Sequence, residues 1–229
     1  MIKINNNILN SPDYILVDAG ENRKAKKRIV EEVKVYGANG DYVIHDGAFE
    51  SYDRELSFSV SSFKKVQDLN KILKDIENEI EFDYVDNSKY YADLVEFNFS
   101  KQGSKRFFVV LKMKFDPFRY ENENDEIFTK SGAITNIGNV FSEPIIEIFG
   151  NGISSLTIGK QTIHLNLNEK ATIDCRHLKQ NIYDKDGNVK NSIRIRGSFF
   201  EIQPGKNGVI FNNDFITKVN IRGNWRWDI

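Results

Sequence analysis

Alternation of apolar and polar positions dominates the chain. Leu56, Phe58 and Val60 alternate with Ser57 and Ser59, a period of two that predicts a strand with one buried face. Upstream, Ile29 to Tyr36 alternates weakly and stops at Gly37-Ala38-Asn39-Gly40. Asn-Gly readily takes positive φ, so this stretch predicts a tight hairpin turn with Tyr42 to Ile44 as the returning strand. One segment changes period. After Ser61 or Ser62, either able to cap a helix, Val66, Leu69, Leu73, Ile76 and Ile80 recur at three- and four-residue spacing. Lys65, Lys71, Lys74, Asp75, Glu77 and Asn78 fall mostly outside that stripe, which predicts a helix over about 63–81 lying against a sheet.

Two strands follow, at about 92–100 and 105–115, joined by a turn at Lys101-Gln102-Gly103-Ser104 and sending Leu94, Phe97 and Phe99 toward the core. Pro117 has no N–H for a sheet ladder, so the pattern ends in Phe115-Asp116-Pro117-Phe118-Arg119-Tyr120. The acidic, asparagine-rich stretch Glu121 to Glu126 sets a domain boundary between about 119 and 134. We divide the chain into domains 1–130 and 131–229, with the last strand free to return to the first.

Beyond the boundary no helical period remains. Ile163, Leu165 and Leu167 alternate with Thr162, His164 and Asn166; Ala171, Ile173 and Cys175 with Thr172 and Asp174; Ile193 and Ile195 with Arg194 and Arg196. Phe215, Thr217, Val219 and Ile221 alternate with Ile216, Lys218, Asn220 and Arg222. Turns are predicted at Gly150-Asn151-Gly152, Gly159-Lys160, Asp186-Gly187-Asn188 and Pro204-Gly205-Lys206-Asn207-Gly208. Short half-buried strands with frequent turns indicate a β-sandwich behind a mixed α+β first domain.

Composition narrows the function classes. The 229 residues are 40% apolar and 28% charged, the profile of a globular chain with a core of its own. Lys and Arg number 32 against 33 Asp and Glu. That balance lacks the basic excess on which phosphate-backbone binding depends. A lone Cys175 allows no intramolecular disulfide and fits a reducing cytoplasm. The opening Met1 to Asn7 has no apolar signal-peptide run, and the longest clean apolar run, Phe107 to Leu111, is too short for a membrane span.

A search for chemistry assigns no catalytic residue, metal or cofactor. Cys175, His177 and Asp174 cluster without the further convergent ligands zinc needs. Asp184 to Asn188 is a poor calcium loop, because its twelfth position holds Ile195 where a Glu is required. Neither a Gly-x-Ser-x-Gly elbow nor a phosphate loop occurs. Glu77, Glu79, Glu81, Asp83 and Asp86 read as solvated surface. The basic run of Arg23, Lys24, Lys26, Lys27 and Arg28, balanced by Glu31 and Glu32, is either a solvated loop or a subunit contact. Trp225 and Trp227, flanked by Arg222 and Arg226, either pack a terminal strand or anchor an interface.

Several segments together resemble the distal tail (Dit) protein family of long-tailed phages. Val33 to Tyr42, with Gly37 and Gly40, is similar to its early strand–Gly-x-x-Gly–strand signature. Phe115, Pro117 and Phe118 resemble the segment closing its first domain. Asn136 and Gly138, then Pro144 through Gly150, resemble the opening of its second domain; Gly197 to Phe200 with Pro204, Gly205 and Asn207 resemble its late strand and turn. The resemblance implies a mainly β fold, with an N-terminal β-sandwich carrying one helix and a β-hairpin, then a galectin-like β-sandwich. It implies a non-enzymatic baseplate component without cofactors, assembled in the host cytoplasm and resident at the virion tail tip. Its partners would be itself, as a homohexameric and possibly stacked ring, the tail tube protein, and the tail-associated hub or lysin protein. No membrane and no sequence-specific nucleic acid is implied, since the genome only passes through the lumen. The galectin-like fold raises carbohydrate binding for host recognition as the alternative. His164-Leu165-Asn166 partly matches the galectin His-x-Asn pattern, but continues Leu167-Asn168 in place of Pro-Arg and has no accompanying Trp-Gly-x-Glu. We therefore expect a scaffold there and no sugar site.

Overall fold

The computed structural model describes residues 1–37, 39–122 and 125–228. They divide into two compact units, one of residues 1–120 with Asp228, the other Glu121–Trp227. Ala38 of the expected hairpin turn, and Glu123 and Asn124 of the expected boundary stretch, lie outside the described residues.

The first unit contains β1 (Ile2–Ile4), β2 (Asn7–Leu9), β3 (Tyr14–Asp18), β4 (Lys26–Lys34), β5 (Asp41–Glu50), β6 (Tyr52–Val60), α1 (Phe63–Ile72), β7 (Asn78–Phe82), β8 (Ser88–Gln102) and β9 (Arg106–Phe115). Seven of these strands form an antiparallel path in the order β2-β1-β7-β8-β9-β6-β3, while β4 and β5 pair only with each other. Ile4, Leu56, Phe58, Ile80, Leu111 and Phe115 are fully buried in one cluster with Val66 and Leu69 of α1. Strands from the whole path thus feed one core, against which the helix packs. Each such side chain stabilises the fold by about 1.5–3 kcal/mol.

The helix is shorter than its apolar stripe predicts. Ser62 caps it, its hydroxyl accepting the Lys65 N–H, but it ends at Ile72, and Leu73 is already extended. Residues 78–82 are strand, with strict alternate burial. Asn78 reverses the chain: its side chain accepts the Lys74 N–H and donates to the Lys74 and Ala92 carbonyls, and Glu77 adopts φ +56°. Ile76 is exposed, so Leu73 and Ile80 reach the same core from different elements. Phe99, expected inside, is half exposed, whereas Leu94 and Phe97 pack against the core as expected.

Across the division runs β10 (Arg119–Glu121). The second unit holds β11 (Asp125–Phe128), β12 (Gly132–Asn136), β13 (Ile145–Ile158), β14 (Gln161–Asp174), β15 (Asn181–Tyr183), β16 (Arg194–Arg196), β17 (Gly205–Phe211), β18 (Ile216–Arg222) and β19 (Arg226–Trp227). The order is β11-β18-β13-β14-β15, with β17 joining β12 to β13 and β16 pairing with β14. The long β13–β14 hairpin turns at Gly159-Lys160, where Gly159 takes φ +58°, as a two-residue turn with glycine first requires.

Gly150-Asn151-Gly152, expected as a turn, lies inside β13, whose pairing with β14 continues unbroken through it. The glycines serve a different purpose. On its other edge β13 pairs with β18 as far as Gly150 and with β17 only from Leu156. Gly150 lets β18 close in, since a Cβ there would lie 2.0 Å from the Phe215 carbonyl oxygen. The register slips between Phe149 and Gly150, skipping Thr217. Ile216, expected on the opposite face, is therefore buried with Val219 and Ile221, while Phe215, expected beside those two, is exposed. Gly205 to Gly208, expected in a turn, open β17, leaving Pro204 as the bend. Ile193 is buried but Ile195 is exposed, the β14–β16 register slipping so that Ile195 is skipped between Arg194 and Arg196. The mainly β, sandwich-class architecture with one α-helix is the fold class expected from the sequence. Among the described residues no helix is long and apolar enough to cross a membrane.

Candidate functional site

The feature that stands apart from both cores is the β4–β5 ribbon. Its ladder runs from Lys26↔Glu50 to Lys34↔Asp41 and slips on either side of Ile29. None of its side chains is buried and most are exposed. Val30, Val35 and Tyr42 are exposed by more than half, and Tyr36 at the tip is fully exposed. A two-stranded ribbon buries too little to be stable alone, and clustered exposed apolar side chains mark an interaction surface. Gly37 and Gly40 flank the tip at φ +80° and +90°, conformations that favour glycine.

The root of the ribbon is fixed by a buried cation. Arg54 is only 3% exposed. Its Nε donates to the Ala19 carbonyl at 2.5 Å, one Nη to Asn22 Oδ1 at 2.6 Å and the other to the Tyr84 hydroxyl at 2.8 Å. The guanidinium lies 4.5 Å from the Phe82 ring centre and 5.0 Å from that of Phe115. It thereby ties the segment entering the ribbon to the aromatic side of the core. The returning end is held by Phe49, whose ring meets Phe118 edge-on at 4.9 Å. Arg54 shares its parity with Leu56, Phe58 and Val60, so the period-two pattern already carried the signal that it faces inward.

The basic run leads into this root and β4. Its counter-charges are not Glu31 and Glu32. Arg23 pairs with Glu21 and Lys24 with Asp228, while Lys26 pairs with Glu50 and Arg28 with Asp46, because the ladder sets β5 against the last two. The Arg28 hydrogen bond holds the Asp46 carboxyl below its usual range. Such exposed pairs contribute little to stability. Lys27 is exposed.

The remaining residues singled out in the sequence organise backbone. Phe115 is fully buried and stacks on Tyr52; Pro117 is half-buried just past the end of β9. The buried Asn136 amide donates to the Val140 and Ile202 carbonyls, and its oxygen accepts the Gly138 N–H. Gly138 permits a close approach, since a Cβ there would lie 2.2 Å from the Arg226 carbonyl oxygen. The Pro144 carbonyl accepts the Cys175 N–H at 3.0 Å. Gly205 adopts φ +88°, and Asn207 donates to the Gln203 and Gly205 carbonyls, both at 2.8 Å. Trp225 packs against the second core over Gly223, where any Cβ would strike its ring; Trp227 is half-buried. Between them Arg226 is buried, donates to the Phe141 carbonyl at 2.6 Å and pairs with Glu143.

Among the described residues, reactive groups do not converge. Cys175 is buried, its sulfur accepting the Phe200 N–H, and burial pushes the thiol up to about 12. Glu79 pairs with Lys89, Glu81 with Lys3 and Asp83 with the terminal amine. Among the described residues no three His, Cys, Asp or Glu are grouped to hold a metal ion. His164 of β14 pairs with Ser155 of β13 on one side and Arg196 of β16 on the other, and Asn166, two residues on, is exposed.

No family model matches the chain, and no curated protein does. Among solved structures it is similar to the crystal structure of the SPP1 Dit protein (gp 19.1), described as a paradigm of the hub adsorption apparatus in phages infecting Gram-positive bacteria. The TM-score is 0.73 over 96% of this chain and 97% of that one, at 13% identity. At that identity the likeness is one of fold, and this chain has the Dit fold from end to end.

Proposed function

We propose that this chain is a structural building block of a phage tail tip, six copies of which form a ring between the tail tube and the baseplate hub. The observation that carries this reading is the whole-length match to a hub adsorption protein, which leaves almost no chain outside the shared fold. The ribbon adds physical support. A ring closes through heterologous contacts, in which one surface of a copy meets a different surface of the next, and a projecting ribbon offers one such surface. On this reading the first domain, 1–130, forms the ring and the second, 131–229, is a scaffold facing a neighbouring part. The tube would seat on one face, the tail-associated hub or lysin protein on the other, and the genome would pass through the lumen. A near-zero net charge suits such a conduit, because a strongly basic wall would retain DNA. The protein would assemble in the host cytoplasm and end at the virion tail tip. No catalytic group, metal or cofactor enters this role.

Light scattering on the purified full chain tests it. The expected mass is that of six copies of 26.5 kDa, with annular particles under negative stain. A monomer at every concentration, with no annuli, overturns the proposal.

A further inference from the structure

Asparagine is followed by glycine at Asn39-Gly40, Asn151-Gly152 and Asn207-Gly208. Each pair can undergo the same intramolecular reaction, in which the backbone nitrogen after the asparagine attacks the side-chain carbonyl carbon. Glycine favours the attack, since no Cβ obstructs the approach and the backbone can rotate into the reactive geometry. In a folded chain two freedoms are also needed. The asparagine ψ must be able to leave its resting value, and the side-chain amide must be able to swing onto the next nitrogen.

The fold withholds both freedoms at the last two pairs. Asn151 and Gly152 lie in the unbroken β13–β14 ladder, opposite Asn168 and Leu167. The Asn151 N–H donates to the Phe215 carbonyl, and its Oδ1 accepts the Glu169 N–H at 3.0 Å. Asn207 and Gly208 pair with Ile134 and Ala133 in the β12–β17 ladder. The Asn207 amide donates to the Gln203 and Gly205 carbonyls, and the Gly208 carbonyl accepts the Gly159 N–H. At Asn39 neither restraint exists. The β4–β5 ladder ends at Lys34↔Asp41, so Asn39 and Gly40 lie beyond it. Asn39 is exposed, and no described residue hydrogen-bonds to its amide. Gly40 stands at φ +90° with open space where a Cβ would be.

We propose that Asn39 is a self-modifying residue, which loses its side-chain amide to become aspartate or isoaspartate. In the first step the Gly40 nitrogen gives up its proton and bonds to Cγ of Asn39. The Cγ–Nδ2 bond breaks, and ammonia leaves a five-membered succinimide. Water then adds to one of the two ring carbonyls. Opening at Cγ restores the ordinary main chain with an aspartate; opening at the main-chain carbonyl carbon routes the backbone through the side chain as isoaspartate. The net exchange is an amide and water for a carboxylate and ammonium, with no oxidant or metal. Both products place a negative charge at the ribbon tip. Isoaspartate also inserts a methylene into the turn that Gly37 and Gly40 hold at positive φ. The inference is independent of the ring reading, since a chain that never assembles would age in the same way.

Incubating the purified full chain in mildly alkaline buffer tests it, with peptide mapping by mass spectrometry and isomer-resolving chromatography as the readout. The Asn39 peptide should gain the mass of an amide-to-acid exchange at least about tenfold faster than the Asn151 and Asn207 peptides, whose ladder and amide bonds must open first. In concentrated urea the three should convert at similar rates, because only the fold separates them. Asn39→Gln should remove the first acidic species to appear on ion exchange. Folded-state conversion of Asn151 or Asn207 as fast as that of Asn39 overturns the proposal, as does an Asn39 that converts in urea but not in the folded chain. A difference between the sites that persists undiminished in urea overturns its structural cause. Acidic species that build up undiminished in Asn39→Gln overturn the assignment to this residue.

Discussion

Gly150→Ala should weaken the second unit by about 2–4 kcal/mol, and the structure supplies each part of that figure. The added Cβ would lie 2.0 Å from the Phe215 carbonyl oxygen and 3.0 Å from the Ile216 Cα. Ordinary carbon–oxygen contacts begin near 3.3 Å, so β18 must retreat from β13 by about 1 Å. Both clashing atoms are backbone, so no rotamer change relieves them. Overpacking of this kind costs about 1–3 kcal/mol. The retreat also strains the 2.9 Å bond from the Asn151 N–H to the Phe215 carbonyl, worth about 1 kcal/mol net. Two further glycines of the same unit calibrate the result. Gly187 has φ +82° with nothing near a new Cβ, so Gly187→Ala should lose only the about 1–2 kcal/mol of left-handed strain. Gly208 has neither constraint, so Gly208→Ala should be neutral or stabilise by up to about 1 kcal/mol. Urea unfolding of the full chain, followed by tryptophan fluorescence, measures all three, since Trp225 packs on this core. Equal stability of the Gly150 and Gly208 variants would refute the close-approach argument.

Four other outcomes are expected. Arg54→Met should lose about 2–4 kcal/mol in thermal melting of the first unit, because three acceptors lose a charged donor and the methionine keeps only the stem packing; an unchanged melting temperature would mean that relief from burying the charge cancels the loss. Cys175 should resist a thiol-specific reagent at pH 8 until urea unfolds the chain, since the thiolate is the reactive form and burial lifts its pKa to about 12; native-state labelling at the free-cysteine rate contradicts this. The same thiol, with Tyr52 and Tyr90, all raised by burial from usual values of 9.0 and 10.0, holds protons that the unfolded chain gives up first. Their contribution to stability is therefore full below pH about 9 and lost as pH rises toward 12, which alkaline denaturation curves can check. Gly40→Val forces a β-branched side chain into φ +90°, and should speed hydrogen exchange of the ribbon amides about tenfold, leaving the second unit unchanged; unaltered ribbon exchange would count against the turn.

Sequence patterning was most informative where one strand faces one core. Leu56, Phe58 and Val60, or Ile163, Leu165 and Leu167, are buried on the expected face, and their ladders with β9 and with β13 run unbroken. It misled where two elements share a period by coincidence. Leu73 and Ile80 are seven residues apart, two helical turns, yet a reversal at Asn78 separates them; the signal was the asparagine itself, whose amide substitutes for the next turn of helix. Glycine was ambiguous for a related reason. The same absence of a Cβ allows a turn at Gly159 and a close strand approach at Gly150, and only the partner strand decides between them. The bulge that buries Ile216 in place of Phe215 is likewise set by β13, not by β18's own alternation. Of the candidate site, the turn and the basic run were legible in one dimension. The ribbon's isolation was not, because its weak alternation resembles that of a half-buried strand.

That isolation says what the ribbon is for. Fixing a residue's backbone costs about 1–2 kcal/mol, and burial of side chains normally offsets it. Along β4 and β5 there is little burial to do so. The chain nevertheless invests in the root, placing a buried Arg54 and the Phe49–Phe118 contact where the ribbon leaves the core. A firm root below an apolar, solvent-facing blade is sensible only if the blade is covered on assembly. Burying Val33, Tyr36 and Tyr42 on a neighbouring copy would gain about 5–9 kcal/mol at 1.5–3 kcal/mol each. Association itself costs about 4–15 kcal/mol, so a single such contact is weak. In the proposed ring, the copy that closes it makes two contacts for one loss of freedom. On that reading the same modest surface gives a reversible dimer but a durable closed ring.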